Sequence, residues 1–235
     1  MKIILQKYIA QSGHCSRRHG ERLIRESRVK LNGKPAKIGD TIDPENPPDI
    51  KIDGRALRLP EAKIYIKLNK PAGFTSTTRK FKGESNVFDL VKVKERLFIV
   101  GRLDKDSRGL ILLTNDGELT DKLTHPRYEK EKEYLAVVSG AVADPKKIVK
   151  QLTEGVDIGE GDGIALAKKV KNLGGERFSI ILTQGKKRQI RRMFKALGLT
   201  VKDLVRVRIG QLELGSLKEG DWKKLTEDEI KKLKQ

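Results

Sequence analysis

Elimination leaves a carboxylate as the remaining candidate for chemistry in this sequence. Gly185-Lys186 lacks the upstream spacing and the following Ser or Thr of a phosphate-binding loop, and no GxGxxG, GxSxG or HExxH string occurs. His14, His19 and His125 are scattered, which suits surface or packing positions. One cysteine, Cys15, excludes an intrachain disulfide, and with only three His it also rules out a Cys/His zinc cluster. The best-placed carboxylate lies in FIVGRLDKDSRGLILLTNDG (98–117). There Asp104 follows an apolar run, sits in a polar turn between Gly101 and Gly109, and precedes a second apolar run. Such a turn is ordinarily only a hairpin tip, and spacing alone treats Asp104 and Asp106 alike.

The elements that would hold this turn can be read from periodicity. Ile64 to Leu68 alternates as a half-buried strand, and further strands are expected at 97–100, 109–114, 134–138, 178–182 and 205–209. Helices are expected at 117–124, at 144–153 with Asp144 as cap, and at 188–197, where Ile190, Met193, Phe194 and Leu197 share a face. Thr226 with Glu229 forms a capping box for a last helix. Strands and helices do not alternate strictly, so an α+β fold with a mixed or antiparallel sheet is expected rather than a doubly wound one.

Before this region lies a smaller module with a different charge pattern. Residues 1–37 carry ten Lys/Arg against two acids, residues 38–60 three against five, and the second stretch holds Pro44, Pro47, Pro48 and Pro60. The boundary is therefore expected near Pro60, giving modules 1–60 and 61–235. Leu5, Tyr8 and Ile9 form one helical face ending at Gly13, and Ser16 caps a second helix reaching about Ser27. On that helix Arg18, Arg22 and Arg25 make a basic stripe, a pattern that is often just a solvated face. Val29-Lys30-Leu31 then runs into Asn32-Gly33, a hairpin signal.

The whole chain has a formal net charge of +19, and a second basic stretch at 184–208 has nine Lys/Arg against Asp203 alone. A charge so far from zero favours a polyanion, with nucleic acid foremost. No apolar run is long enough to span a bilayer, and MKIILQKYIA is too polar and short for a secretory signal. A reduced, cytoplasmic setting is expected, with no membrane and no metal.

Two resemblances sharpen this. SGHCSRRHGERLIRESRVKLNGKPAKIGD (12–40) resembles the small αL RNA-binding domain shared with ribosomal protein S-four, in its Gly13, Ser16-Arg17-Arg18, Leu23-Ile24 and Val29 to Gly33. GRLDKDSRGLILLTNDG (101–117) resembles the hallmark of Rsu/Rlu-type RNA pseudouridine synthases, pattern GRLDxxSxGLLLLTNDG. KLNKPAGFTST (67–77), EKEYLAVV (131–138) and QGKKRQIRRMF (184–194) agree with it in family order, and their form looks most like the RluF branch. The resemblance implies isomerisation of uridine to pseudouridine in large-subunit rRNA, with small-subunit rRNA, tRNA or a non-catalytic RNA-binding role as the competing readings. It implies no cofactor.

Carried onto this sequence, the resemblance makes Asp104 the carboxylate, either as nucleophile or as the base removing the ribose 2′ proton. Tyr134 becomes the residue that stacks on an extruded uracil, and Lys186 the counter-charge of Asp104. Arg102, Arg188 and Arg191, with neighbouring Arg192, would hold RNA beside the flipped nucleotide. Ser16, Arg17, Arg18, Arg22, Arg25, Lys30 and Asn32 would dock the N-terminal module. The expected partner is folded rRNA, a hairpin or an assembly intermediate, engaged by a monomer.

Overall fold

The structure, a computed structural model, describes residues 1–58, 62–79 and 81–235, so the boundary expected at Pro60 lies outside the described residues. The chain divides into two units: Met1–Ile64 with Val93–Phe98 and Asn115–Gly117, and Tyr65–Lys92 with Ile99–Thr114 and Glu118–Gln235. The short return at 115–117 joins the first unit through Asn115, whose Oδ1 accepts from the Ile64 amide at 2.8 Å and whose Nδ2 donates to Ala62 O at 3.0 Å.

In the first unit, α1 (Leu5–Gln11) buries Leu5, Tyr8 and Ile9, the expected face, and the chain turns at Gly13 with φ 79°. Ser16 caps α2 (Arg17–Arg25) by accepting from the His19 amide at 3.2 Å. The helix stops two residues short of the expected Ser27, which adopts φ 56°. β1 (Val29–Leu31) and β2 (Lys34–Pro35) flank Asn32-Gly33, both left-handed at φ 47° and 80°, as a primed hairpin turn requires. With β3 (Ile50–Ile52) and β4 (Arg55–Ala56) they form a sheet in the order β2-β1-β3-β4. Leu5, Ile9, Leu23, Val29, Ile50 and Ile52 fill the core between helices and sheet. Cys15 packs beside it, and burial pushes its thiol up, away from reactivity.

The second unit is organised on a nine-stranded sheet. Its main strands are β5 (Tyr65–Lys70), β6 (Arg108–Thr114), β7 (Lys132–Ser139), β8 (Lys169–Asn172), β9 (Arg177–Leu182), β10 (Thr200–Ile209) and β11 (Trp222–Lys224). They run in the order β8-β9-β7-β10-β6-β5-β11, with β8 and β11 at the ends of the path. Every neighbouring pair is antiparallel except β10 with β6, which are parallel over only Val205↔Arg108 and Arg206↔Gly109. The sheet is therefore mixed, as expected for an α+β fold. α4 (Pro145–Glu154), capped by Asp144 as expected, and α5 (Gln189–Ala196) close one core around Phe178 and Phe194, whose rings lie 5.3 Å apart. α3 (Gly117–Thr124) and α6 (Glu227–Lys234) pack on a second core with Leu110, Leu112 and Ile209.

β10 begins at Thr200, five residues before the expected start. Its first half, TVKDL, is polar on one side, but Val201 and Leu204 are buried while Ser139↔Thr200 through Ala136↔Leu204 pair with β7. Pairing to a buried neighbour outweighs the weak local signal. β8 was hidden for a related reason, since its Lys169 and Lys171 face solvent at a sheet edge.

Where β10 meets β6, the two backbones come unusually close. Gly109 has φ 105°, and a Cβ there would lie 2.3 Å from Arg206 O and 2.7 Å from Arg206 N. Neither atom can step aside, because both are backbone. Gly109→Ala should therefore destabilise the protein by more than about 3 kcal/mol, well beyond an ordinary surface substitution. Chemical denaturation of the two proteins measures this; a change under about 1 kcal/mol would show that the strands can separate freely.

Candidate functional site

The turn that carries Asp104 is fixed from beneath by a lysine at the end of β5. Lys70 is wholly buried, and its ammonium donates to Ser107 O at 2.6 Å, Pro71 O at 2.8 Å and Lys105 O at 3.4 Å. A buried ammonium satisfied by carbonyls holds the backbone on both sides of Asp106. Burial lowers its pKa to about 8, against the opposing charges of Asp106, Asp104 and Glu219. From the other side, Ser76 Oγ donates to Leu103 O at 2.9 Å and accepts from the Leu103 amide at 3.2 Å.

Within this turn the two aspartates have different surroundings. Asp106 is bound bidentately by Arg188, at 2.8 and 3.1 Å, and Arg191 Nε lies 3.4 Å away. Burial pushes the Asp106 carboxyl up, but Arg188 and Arg191 outweigh that and hold it below the usual carboxylate range. Asp104 has no ion pair among the described residues. It lines a cavity of about 970 Å³ and is the one acid in a lining that includes seven Lys and Arg. A carboxylate left uncommitted amid cations is available for chemistry.

β7 and β10 form the back wall. Tyr134 and Lys132, two residues apart, project from the same face of β7, and Tyr134 pairs in register with Arg206. That pairing depends on a bulge: Glu133 faces Arg208 and Tyr134 faces Arg206, leaving Val207 as the extra residue. Arg206 is 1% exposed. It donates through Nε to Leu110 O at 2.7 Å and through Nη1 to Arg102 O at 3.3 Å, while Nη2 has no partner.

The structure brings Asp104, Tyr134, Lys186, Arg102 and Arg188 together around this cavity. It does not give Lys186 the expected role toward Asp104. Its ammonium instead donates to Asp162 O at 2.5 Å and Ile164 O at 3.1 Å, carbonyls on either side of Gly163. Arg191 and Arg192 are likewise occupied inside the fold rather than presented to RNA. Arg191 donates to Val201 O at 2.9 Å and Asp106 O at 3.0 Å. Arg192 clamps Ile158 O at 2.8 Å, Gly159 O and the Asp162 carboxylate. Their side chains are 12% and 11% exposed, so they brace neighbouring backbone. Lys70, Lys132 and Arg206 were missed as site residues; the available signal was a cation at an inward position of an otherwise apolar strand.

In the first unit, Ser16, Arg17, Arg18, Arg22, Arg25, Lys30 and Asn32 are all exposed. Arg25 pairs with Glu21 on α2 at 2.6 Å, and Arg22 approaches Glu26, just past the end of α2, at 3.7 Å. Pairs this exposed hold their cations weakly, so an incoming phosphate can replace the carboxylates. Asn32 has a structural task as well, accepting from the Asp49 amide at 2.9 Å. Among the described residues no cluster of His, Cys, Asp and Glu could hold a metal, and no helix is long and apolar enough to cross a membrane.

Comparison with known proteins agrees with this geometry. Residues 64–196 match the family described as RNA pseudouridylate synthase, and residues 5–46 match the S4 domain. A dual-specificity RNA pseudouridine synthase RluF from Shigella flexneri is 43% identical over 230 residues, covering 96% of this chain and 76% of that protein. An uncharacterized RNA pseudouridine synthase from Aquifex aeolicus (strain VF5) is 38% identical over 234 residues, 98% of this chain and 95% of that one. A crystal structure of a pseudouridylate synthase aligns with a TM-score of 0.71 at 31% identity, over 98% of this chain and 99% of its own.

The burial of Lys70 has a measurable consequence. It titrates near 8 in the folded protein against an ordinary 10.5, so between those values the unfolded chain holds more protons and stability rises with pH. Relative to Lys70→Met, which cannot titrate, the wild-type protein should gain up to about 3 kcal/mol across that window. Urea unfolding of both proteins at pH 8 and pH 10 tests this, and a flat or declining difference contradicts it.

Proposed function

Because the chain belongs to the RNA pseudouridylate synthase family, we propose that it isomerises a uridine of large-subunit rRNA to pseudouridine, with Asp104 as the reacting carboxylate. The observation that carries the assignment is the contrast between the two aspartates. Asp106 is consumed by Arg188 and Arg191, whereas Asp104 stands uncommitted in the wall of a cationic cavity. Such a cavity suits one nucleotide turned out of its stack, at a cost of a few kcal/mol that is least in a loop or bulge. The target is therefore a uridine in a locally open hairpin.

The roles follow from position. Asp104 acts on the ribose, as nucleophile or as base toward the 2′ proton. Tyr134, half-buried on β7 beside it, offers its ring to the base and its hydroxyl to a proton. Arg102 is exposed at the rim and Arg188 is held there by Asp106, where both can meet phosphates. The S4 domain supplies docking on folded RNA. Its cations sit on a helix and hairpin that fix position more than they read sequence.

Incubation with ribosomal RNA transcripts and carbodiimide primer extension tests the activity directly. Since the Shigella flexneri relative is named a dual-specificity enzyme, transcripts of both rRNA subunits and of tRNA belong in the assay. Asp104→Asn should abolish turnover and leave RNA affinity within about threefold, while Asp106→Asn, which frees Arg188, should cost less than about a hundredfold. Tyr134→Phe should keep base stacking and slow a proton-transfer step, and Tyr134→Ala should lose both. Near wild-type turnover by Asp104→Asn would end the assignment, and equal mild losses in both tyrosine variants would make Tyr134 a packing residue.

The division between units is tested by salt. Arg18→Ala/Arg22→Ala should weaken binding to folded rRNA and flatten log K against log salt by ~0.7–0.9 per lost phosphate contact, with the saturated rate nearly unchanged. Arg188→Ala should lower the saturated rate instead. Single-turnover kinetics at two salt concentrations separates these outcomes, and equal rate losses would contradict the split.

A further inference from the structure

Of the seven cations lining the cavity, five have no ion pair among the described residues, and two of these, Lys132 and Arg206, stand in its back wall. Lys132 lies between Glu131 and Glu133, yet strand alternation turns both carboxylates elsewhere. Glu131 binds Lys168 at 2.9 Å and Arg208 at 3.1 Å, and Glu133 binds Arg208 at 3.0 Å and Ser179 at 2.8 Å. The Lys132 ammonium donates only to Lys130 O, at 3.1 Å, and has no ion pair among the described residues. Behind it, Arg206 is buried with two carbonyl partners and an empty Nη2. Burial and the charge of Arg206 both push the Lys132 pKa down, as expected of two positive groups held close. At the rim Arg188 has Asp106 and Lys105 has Glu84 at 2.9 Å, while Arg102 and Lys187 are exposed to solvent, which screens their charge. Unpaired charge in a protein interior is costly, so its retention here points to an anion that arrives during the reaction.

We propose that Lys132 is a catalytic residue that binds the uracil ring while it is detached and negatively charged, with Arg206 as the positioning residue fixed behind it. This rests on the isomerase reading above. Breaking the C1′–N1 bond leaves its electron pair on the ring, with charge spread over N1, O2 and O4. C1′ is meanwhile satisfied by a bond to a carboxylate oxygen or by loss of the 2′ proton. When C5 rejoins C1′, the carboxylate leaves or the 2′ proton returns, the C5 hydrogen departs as a proton, and N1 takes one up. Atoms and charge balance at both ends, and the ring is anionic only in between. A base stacked on Tyr134 would meet Lys132 two residues along the same strand face and Arg206 directly across from that tyrosine. Phosphates, by contrast, remain at the rim with Arg102 and Arg188.

The test compares Lys132→Met, Lys132→Arg and the control Lys168→Met in single-turnover assays on a transcript that the wild-type protein modifies. A second transcript carries 4-thiouridine in place of uridine, whose ring holds negative charge better without help. Lys132→Met should lose about a hundredfold or more in saturated rate with affinity within threefold, Lys132→Arg should recover most of the loss, and Lys168→Met should match wild type. The Lys132→Met defect should shrink at least tenfold with 4-thiouridine, which a merely structural role would not produce. Thermal melts check that each variant is folded. Equal defects on both transcripts, or a Lys132→Met rate within threefold of wild type, overturn the inference while leaving the isomerase reading intact. A wild-type protein inert on every transcript overturns both.

Discussion

The close approach of Gly109 to Arg206 holds together a sheet that is otherwise two antiparallel halves. β8, β9, β7 and β10 form one half and β6, β5 and β11 the other, and their parallel junction is only two residue pairs long. Glycine lets the backbones meet, and Arg206 ties the junction further by donating to Leu110 O and Arg102 O. The cavity is lined by residues of both halves: the Asp104 turn precedes β6, while Tyr134 and Arg206 belong to β7 and β10. Anything that separated the halves would part the carboxylate from the wall it faces. Fold stability and site geometry therefore meet at one contact.

Charge within the second unit is sorted by the backbone rather than by abundance. Of the basic residues in the 184–208 stretch, Lys186, Arg191 and Arg192 bind carbonyls, and Arg188 binds a carboxylate. A run of arginines on a short helix thus says little about how many are available to a polyanion. Arg191 and Arg192, with side chains 12% and 11% exposed, are held by carbonyls of the fold instead of standing in solvent. The availability of a charge depends on strand face and helix face, as the contrast of Lys132 with its two glutamate neighbours shows.

Much of this was legible in the sequence where a local rule has a single physical outcome. The Ser16 cap, the Asn32-Gly33 turn, the Gly13 stop and the Thr226–Glu229 box each satisfy backbone groups within a few residues, so sequence neighbours suffice. The turn holding Asp104 was also visible, as was its family resemblance. What escaped depends on distant partners. Lys186 meets carbonyls more than twenty residues away, the early half of β10 is paired by β7, and the bulge at Val207 decides what stands opposite Tyr134. None of these leaves a mark in local periodicity.

Both ends of the sheet carry strands rich in lysine: Lys169 and Lys171 on β8, Lys223 and Lys224 on β11, all exposed. A bare strand edge offers a row of unpaired amides and carbonyls to any other strand, which is how sheets grow into aggregates. Here a second copy arriving edge to edge would set ammonium against ammonium before its backbone could pair. Such repulsion is effective over about a Debye length, roughly 10 Å at 0.1 M salt and 3 Å at 1 M. The basic composition that suits a polyanion therefore also opposes pairing of the two sheet edges with another strand, an opposition that concentrated salt would weaken.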